Sequence, residues 1–280
     1  MAAGDLVTLP WQIELNGVLM GSGTSYIVRD FDPWSAPKIR AGEAPRAQQH
    51  GSFAGRDWLG ERLVAAKIGI NAGTSAADQT ARRVLAAAWQ PPEGTVVPLV
   101  WMEDDGVKYL VFGKPRLASS DLSSRVLTEC RFVATDPRIY NAVASTATTT
   151  PPSGSGGLTF NATPNFTFGG AVTGGSMTVN NAGGFKTPWV ATLTGPLTDP
   201  RIEHVEQSCT LFLTGSLAVG ETLVIDSAAR SILLGGTASR YTWLGPLSKW
   251  FDLTPGLQTV NLRAASGTGP ILLAWRNANL

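Results

Sequence analysis

Residues 142–157 read Ala-Val-Ala-Ser-Thr-Ala-Thr-Thr-Thr-Pro-Pro-Ser-Gly-Ser-Gly-Gly, and this stretch divides the chain. It holds no charge and almost no large apolar side chain, so it cannot bury enough surface to fold alone. It reads as a linker, or as an extended strand with a flexible end, between domains at 1–141 and 158–280. A length of 280 residues is comfortable for two cores.

Upstream of the divide, residues 6–15 and 24–31 alternate loosely between apolar and polar, and Asn16-Gly17 before Val18 is a hairpin-turn signal. The spacing predicts one helix over about 75–89. Ser75 is its expected N-cap, with Asp78 three residues on. Ala77, Ala81, Val84, Leu85 and Ala88 fall on one helical face, and Pro91-Pro92 ends the run. A hairpin follows, with strands at 96–102 and 107–112 and an acidic tip, Glu103-Asp104-Asp105-Gly106; Asp105-Gly106 reads as two-residue-turn chemistry. Residues 125–133 form a last alternating strand. The expectation is a β-sandwich or barrel-like domain with one packed helix.

Downstream, short apolar runs recur at 177–179, 189–193, 209–213, 222–225, 231–234, 258–262 and 271–275, separated by Gly- and Pro-containing turns. That rhythm predicts a second, jelly-roll-like sandwich with no helix longer than a turn. The fold class is therefore mainly β, two sandwich-type domains. Thr135-Asp136-Pro137-Arg138-Ile139 recurs as Thr198-Asp199-Pro200-Arg201-Ile202. No strand or turn correspondence flanks the echo, so it reads as shared turn grammar, not duplication.

Composition narrows the function. Charged residues make up 15% against 43% hydrophobic, and the net charge is +1. A surface poor in charge is often one that neighbours cover, and the positive field that nucleic-acid binding needs is missing. Cys130 and Cys209 lie far apart, which excludes a disulfide framework; both read as buried core residues. Residues 1–5 have no signal-peptide pattern, and no run reaches the ~18 apolar residues of a membrane span, so the expectation is a protein made in the cytoplasm without standard export.

Catalytic chemistry finds little support. His50 sits in a polar, Gly-flanked loop; His204 and Glu206 are expected together on a solvated strand face, short of the ligands a metal needs. No Ser is framed as Gly-x-Ser-x-Gly, Gly113-Lys114 runs into Pro115, and Gly21-Ser22-Gly23 reads as a turn. Glu103, Asp104 and Asp105 at a hairpin tip are expected to stay solvated, whereas a general acid needs an apolar pocket. Asn161-Ala162-Thr163 and Asn165-Phe166-Thr167 have glycosylation spacing that is inert without export. Trp189, Trp243, Trp250 and Trp275 read as core or interface, with one sugar platform among them left open. No catalytic, cofactor or metal residue is assigned, no cofactor is expected, and the chain is read as a non-enzyme.

In order, these pieces resemble the siphovirus distal tail protein family. In the first half the resemblance rests on Arg29-Asp30, the Pro- and Gly-rich passage to Gly55-Arg56, strand 62–70, the helix ending at Trp89-Gln90-Pro91, the acidic hairpin and Asp136-Pro137-Arg138-Ile139-Tyr140. In the second it rests on Asn180-Asn181-Ala182-Gly183, Pro188-Trp189, Thr194-Gly195-Pro196, Pro200, residues 220–226, residues 250–256 and Ala274-Trp275-Arg276. The resemblance implies a virion tail-tip protein, a homo-hexameric ring joining the tail tube to the hub or baseplate, with a galectin-like C-terminal domain projecting outward. It implies neither nucleic-acid nor membrane partners. No long insertion marks the second domain, so an added carbohydrate-binding module is unsupported. The competing expectation is an adsorption protein binding host-wall sugar, weakly, through the C-terminal sandwich.

Overall fold

The computed structural model describes residues 3–119, 128–155 and 171–280. The chain falls into two compact units: Met1–Val143 with Asn279–Leu280, and Ala144–Ala278.

The first unit contains β1 (Ile13–Leu15), β2 (Val18–Met20), β3 (Tyr26–Asp32), β4 (Ile39–Arg40), β5 (Ala44–Pro45), β6 (Ser52–Phe53), β7 (Trp58–Leu59) and β8 (Arg62–Ile70). After them come α1 (Ser75–Ala88), β9 (Val97–Met102), β10 (Lys108–Ser119), β11 (Thr128–Ala134) and β12 (Ile139–Asn141). The main sheet runs β2-β1-β9-β10-β11-β8-β3, with β12 pairing to β10 beside that path. In β8 the alternation puts Arg62, Val64, Ala66 and Ile68 inward. Val64, Ala66 and Ile68 join Leu85, Ala88 and Trp89 from the helix end and Leu99, Trp101 and Phe132 from the central strands in one buried cluster. Asn16 and Gly17, at φ 48° and 75°, close the expected tight turn between Leu15 and Val18.

Several local expectations are corrected. Thr74, not Ser75, caps α1: its Oγ1 accepts from the Ala77 amide at 3.2 Å. Asp78 instead turns back to accept from the Ala72 amide at 2.6 Å, which buries it on the face predicted to be apolar. Val84 lies on the outer face. In the stretch expected as strand over 6–15, only Ile13–Leu15 pairs, because the Gln12 side chain accepts from the Thr8 and Leu9 amides and holds the preceding residues in turns. The acidic hairpin pairs Met102 with Lys108, so Asp105-Gly106 is part of a longer loop in which the Gly106 amide reaches Glu103 O. Of the strand expected at 125–133, residues 125–127 lie outside the described residues, as do both glycosylation-like triplets.

The second unit packs two sheets. One orders Ser145–Thr149, Ile271–Trp275, Trp189–Thr194, Thr222–Asp226, Ser231–Leu234 and Ala238–Ser239; the other orders Ser176–Asn181, Gly256–Arg263, Arg201–His204 and Cys209–Phe212. Leu193, Ile225 and Leu273 from the first sheet and Val179, Ile202, Leu211 and Val260 from the second share one buried cluster, as a sandwich requires. Part of the stretch read as linker or extended strand is an edge strand: Ser145–Thr149 pairs with Ile271–Trp275, and Thr148 Oγ1 donates to Ile271 O at 2.8 Å. The two Asp-Pro turns serve different ends. Asp136 accepts from the Arg138 amide and the Tyr140 hydroxyl, whereas Asp199, at φ 46°, accepts from the Gly215 amide.

Candidate assembly surface

Between β3 and β8 the chain leaves its own core. Ile39 pairs with Leu59 and Arg40 with Trp58; farther out Ala44 pairs with Phe53 and Pro45 with Ser52, and the Arg46 amide donates to Gly51 O across the end. The result is a thin two-stranded arm. Midway it is pinched: a Cβ on Gly55 would stand 1.7 Å from Gly42 O, so only glycine allows the strands to come so close. Every residue from Lys38 to Trp58 is exposed, including Ile39, Phe53 and Trp58 at 65%, 62% and 52%. An isolated two-stranded ribbon is marginal in water, and every residue of this one from Lys38 to Trp58 stays exposed among the described residues.

The arm is fixed at its root. The buried Arg62 guanidinium donates through Nε to Pro137 O at 2.9 Å and through Nη1 to Ser35 O, tying the root to the Asp136 turn. Lys38 and Glu61 pair at 2.5 Å, and that lysine holds the glutamate below the usual carboxylate range.

Beside the root stands the acidic hairpin tip; Asp104 and Asp105 are exposed as expected, whereas Glu103 is half-buried and held by indoles. Trp34 and Trp101 both donate their indole N–H to Glu103 Oε1, and Trp11 donates to Asp104 Oδ1 at 2.8 Å. Tyr109 lies between two of these rings, stacked on Trp101 at 5.9 Å and edge-on to Trp34 at 5.5 Å. Burial, then the charges of Asp105 and Glu103, push its hydroxyl pKa up. Trp11 and Trp34 remain 43% and 37% exposed. Trp11 also lines an open groove of about 410 Å³ with Ser22, Thr24, Ile27, Asp30 and Phe31. Trp34 and Glu103 are 69 residues apart, so no local pattern pointed to this cluster.

The other sequence candidates fall elsewhere. His50 is exposed near the arm's end. His204 is buried, against the expectation of a solvated face: its Nδ1 accepts from the Gln207 amide at 3.2 Å, and Nε2 meets Gln258 Oε1 at 2.5 Å. Glu206 has left the strand and accepts from the Thr259 amide. Among the described residues no group of three or more His, Cys, Asp or Glu could hold a metal ion, and no helix is long and apolar enough to cross a membrane. Both cysteines are free thiols; burial pushes the Cys130 pKa up to about 12. Trp189 and Trp275 are buried, with Trp189 Nε1 donating to Phe251 O. Trp250 is half-buried and lines a groove of about 270 Å³ with Lys186, Arg230 and Asp252.

Residues 182–278 match the family model of the siphovirus-type tail component, C-terminal domain. The second unit is therefore similar to the siphovirus tail components. The likeness of fold extends beyond this tail-component match to nearly the whole chain. SPP1 Dit, described as a paradigm of the hub adsorption apparatus in phages infecting Gram-positive hosts, superposes with a TM-score of 0.70 at 15% identity, covering 97% of this chain and 100% of that one. A chain of the phage P2 baseplate, in its activated conformation with Ca, gives 0.54 at 6% identity over 96% and 98% of the two chains. The same baseplate activated with Sr gives 0.52 at 6% identity over 94% and 97%. At such identities the tail-component resemblance is one of fold. No curated protein sequence matches the chain.

Proposed function

We propose that this chain is a structural protein of a siphophage tail tip, whose copies close into a ring joining the tail tube to the baseplate hub. The observation that carries the reading is the arm at 38–58, an exposed ribbon bearing Ile39, Phe53 and Trp58 on a unit that is otherwise well packed. Such a ribbon gains stability only by burying its apolar side chains on another molecule. The match over residues 182–278 and the fold shared with SPP1 Dit and the phage P2 baseplate chain supply the setting, a tail or baseplate component of a virion. Few charges lower the desolvation cost of extensive interfaces. The chain acts by assembly and not by turnover.

Electron microscopy and mass measurement of the purified full-length chain test this. Closed rings, six-fold by the family resemblance, are expected; a monomer that joins neither itself nor tail components overturns the reading.

The groove at Trp250 favours a second reading, in which the second unit holds host-wall sugar: an indole beside Lys186, Arg230 and Asp252 offers a stacking face with polar partners. Saturable binding to purified wall glycan that Trp250→Ala abolishes would support it, and equal retention by the two proteins would end it.

A further inference from the structure

We propose that the groove beside Trp250 takes an acidic sugar, one residue of a glycan that bears a phosphate or carboxylate group. The proposal rests on the sugar reading of the second unit above and names the ligand class that reading left open. The groove belongs wholly to the second unit and measures about 270 Å³. That is just below the roughly 300–1,000 Å³ of small-molecule pockets, a size for one ring and not for a length of polymer.

Its charges are unbalanced. Among the lining residues Lys186 and Arg230 stand against a single carboxylate, Asp252. Both cations are exposed, and neither makes an ion pair or a side-chain hydrogen bond among the described residues. The loop beneath Arg230 is fixed all the same, because Asp226 Oδ1 accepts from the Ala228 and Ala229 amides at 2.8 and 3.0 Å. A third donor is buried. Ser227 is 6% exposed and lines the same groove; its Oγ accepts from the Trp189 amide at 2.7 Å, while its hydroxyl hydrogen has no acceptor among the described residues. A buried O–H in that condition calls for an oxygen from solvent or ligand.

The groove is also built in advance. The buried His204 meets Gln258 Oε1 at 2.5 Å and lies edge-on to Phe251 at 5.0 Å. Gln258 Oε1 accepts from the Thr254 amide at 3.1 Å, and Gln207 Nε2 donates to Asp252 O at 2.7 Å. Gln207, Phe251, Asp252 and Thr254 all line the groove, so its shape is set before a ligand arrives. Two cations and a hydroxyl offer donors to an oxyanion, Asp252 offers an acceptor to sugar hydroxyls, and the half-buried Trp250 indole offers an apolar face to a pyranose ring. A neutral sugar leaves the cations unanswered, and a bare anion leaves the indole uncovered. A sugar with its own negative charge answers both.

Saturation-transfer difference spectroscopy on the full-length chain tests this, with glucose-6-phosphate, glucuronate and glucose as ligands and inorganic phosphate as competitor. At least one acidic sugar is expected to bind about tenfold more tightly than glucose, the gain of one charge-assisted hydrogen bond; comparing the two then selects phosphate or carboxylate. Lys186→Gln with Arg230→Gln should bring that affinity down to the level of glucose, and Trp250→Ala should remove transfer to all three sugars. The melting temperature of each variant reports that the unit stays folded, and where Trp250→Ala lowers it the charge variant decides alone. Equal affinity for glucose and both acidic sugars, or acidic-sugar binding unaltered in the charge variant, overturns the acidic class while leaving a sugar site standing. Inorganic phosphate that competes as well as glucose-6-phosphate, in a site indifferent to Trp250→Ala, overturns it as well. No transfer to any of the three overturns the sugar reading and the proposal together.

Discussion

The β9–β10 hairpin and the arm at 38–58 are both antiparallel ribbons of one chain, yet they live in opposite surroundings. In β9, Leu99, Val100 and Trp101 are fully buried, and both strands have partners on their outer edges. In the arm no residue from Lys38 to Trp58 is buried, and among the described residues each short strand pairs only with its opposite. Backbone pairing is thus common to both, and what separates them is whether side chains have somewhere to go. The hairpin is stabilised by its own unit; on the proposed ring reading the arm draws its stabilisation from a second molecule.

Tryptophan substitutions at decreasing depth are the most direct way to break that contrast. Trp101→Ala should cost most, about 3–5 kcal/mol, because it empties a fully buried site between Phe31 and Tyr109. Denaturant unfolding of the monomer should show the loss in the first unit, and a cost under about 1 kcal/mol would mean that the hairpin is no better supported than the arm.

Arg62→Lys comes next. A lysine cannot reach both Ser35 O and Pro137 O, so at least one carbonyl loses its charged donor, at about 1.5–3 kcal/mol. Faster amide exchange at the arm's root should accompany the loss, and unchanged exchange there would detach Arg62 from the arm. Trp34→Ala is intermediate in kind as well as in size. It forfeits an edge contact with Tyr109 and an indole N–H to Glu103 at a partly exposed site, about 1–2 kcal/mol, measured by the same unfolding curve.

The same contrast explains what could be read from the chain alone. Strand Arg62–Ile70 alternates inward and outward as far as Ile68, and the reading and the structure agree on its limits. The seven apolar runs of the second half all lie in strands of the sandwich, since each of them buries side chains against the facing sheet. Strand Arg201–His204 was read with the wrong face and limits, because its inward positions are Ile202 and His204, and a histidine satisfied by Gln258, 54 residues away, looks polar in sequence. The helix cap was misplaced by one residue because Thr74 and Ser75 can both cap, and only the backbone geometry selects between them. The arm had no readable period at all. Its glycines, prolines and arginines satisfy no core pattern, for the physical reason that it touches no core of its own.

Trp58→Ala is expected to have the smallest effect on the folded monomer and is the sharpest test of the comparison. The indole is 52% exposed, with the Arg56 guanidinium over its ring at 4.3 Å, so truncating it should move monomer stability by no more than about 0.5 kcal/mol. On the proposed ring reading, a tryptophan that contributes so little to its own unit finds its packing partner in another molecule. Assembly should therefore weaken markedly in this variant while the unfolding midpoint stays in place. The opposite pattern, a lowered midpoint with rings intact, would place the arm among the internally supported elements and erase the distinction between the two ribbons.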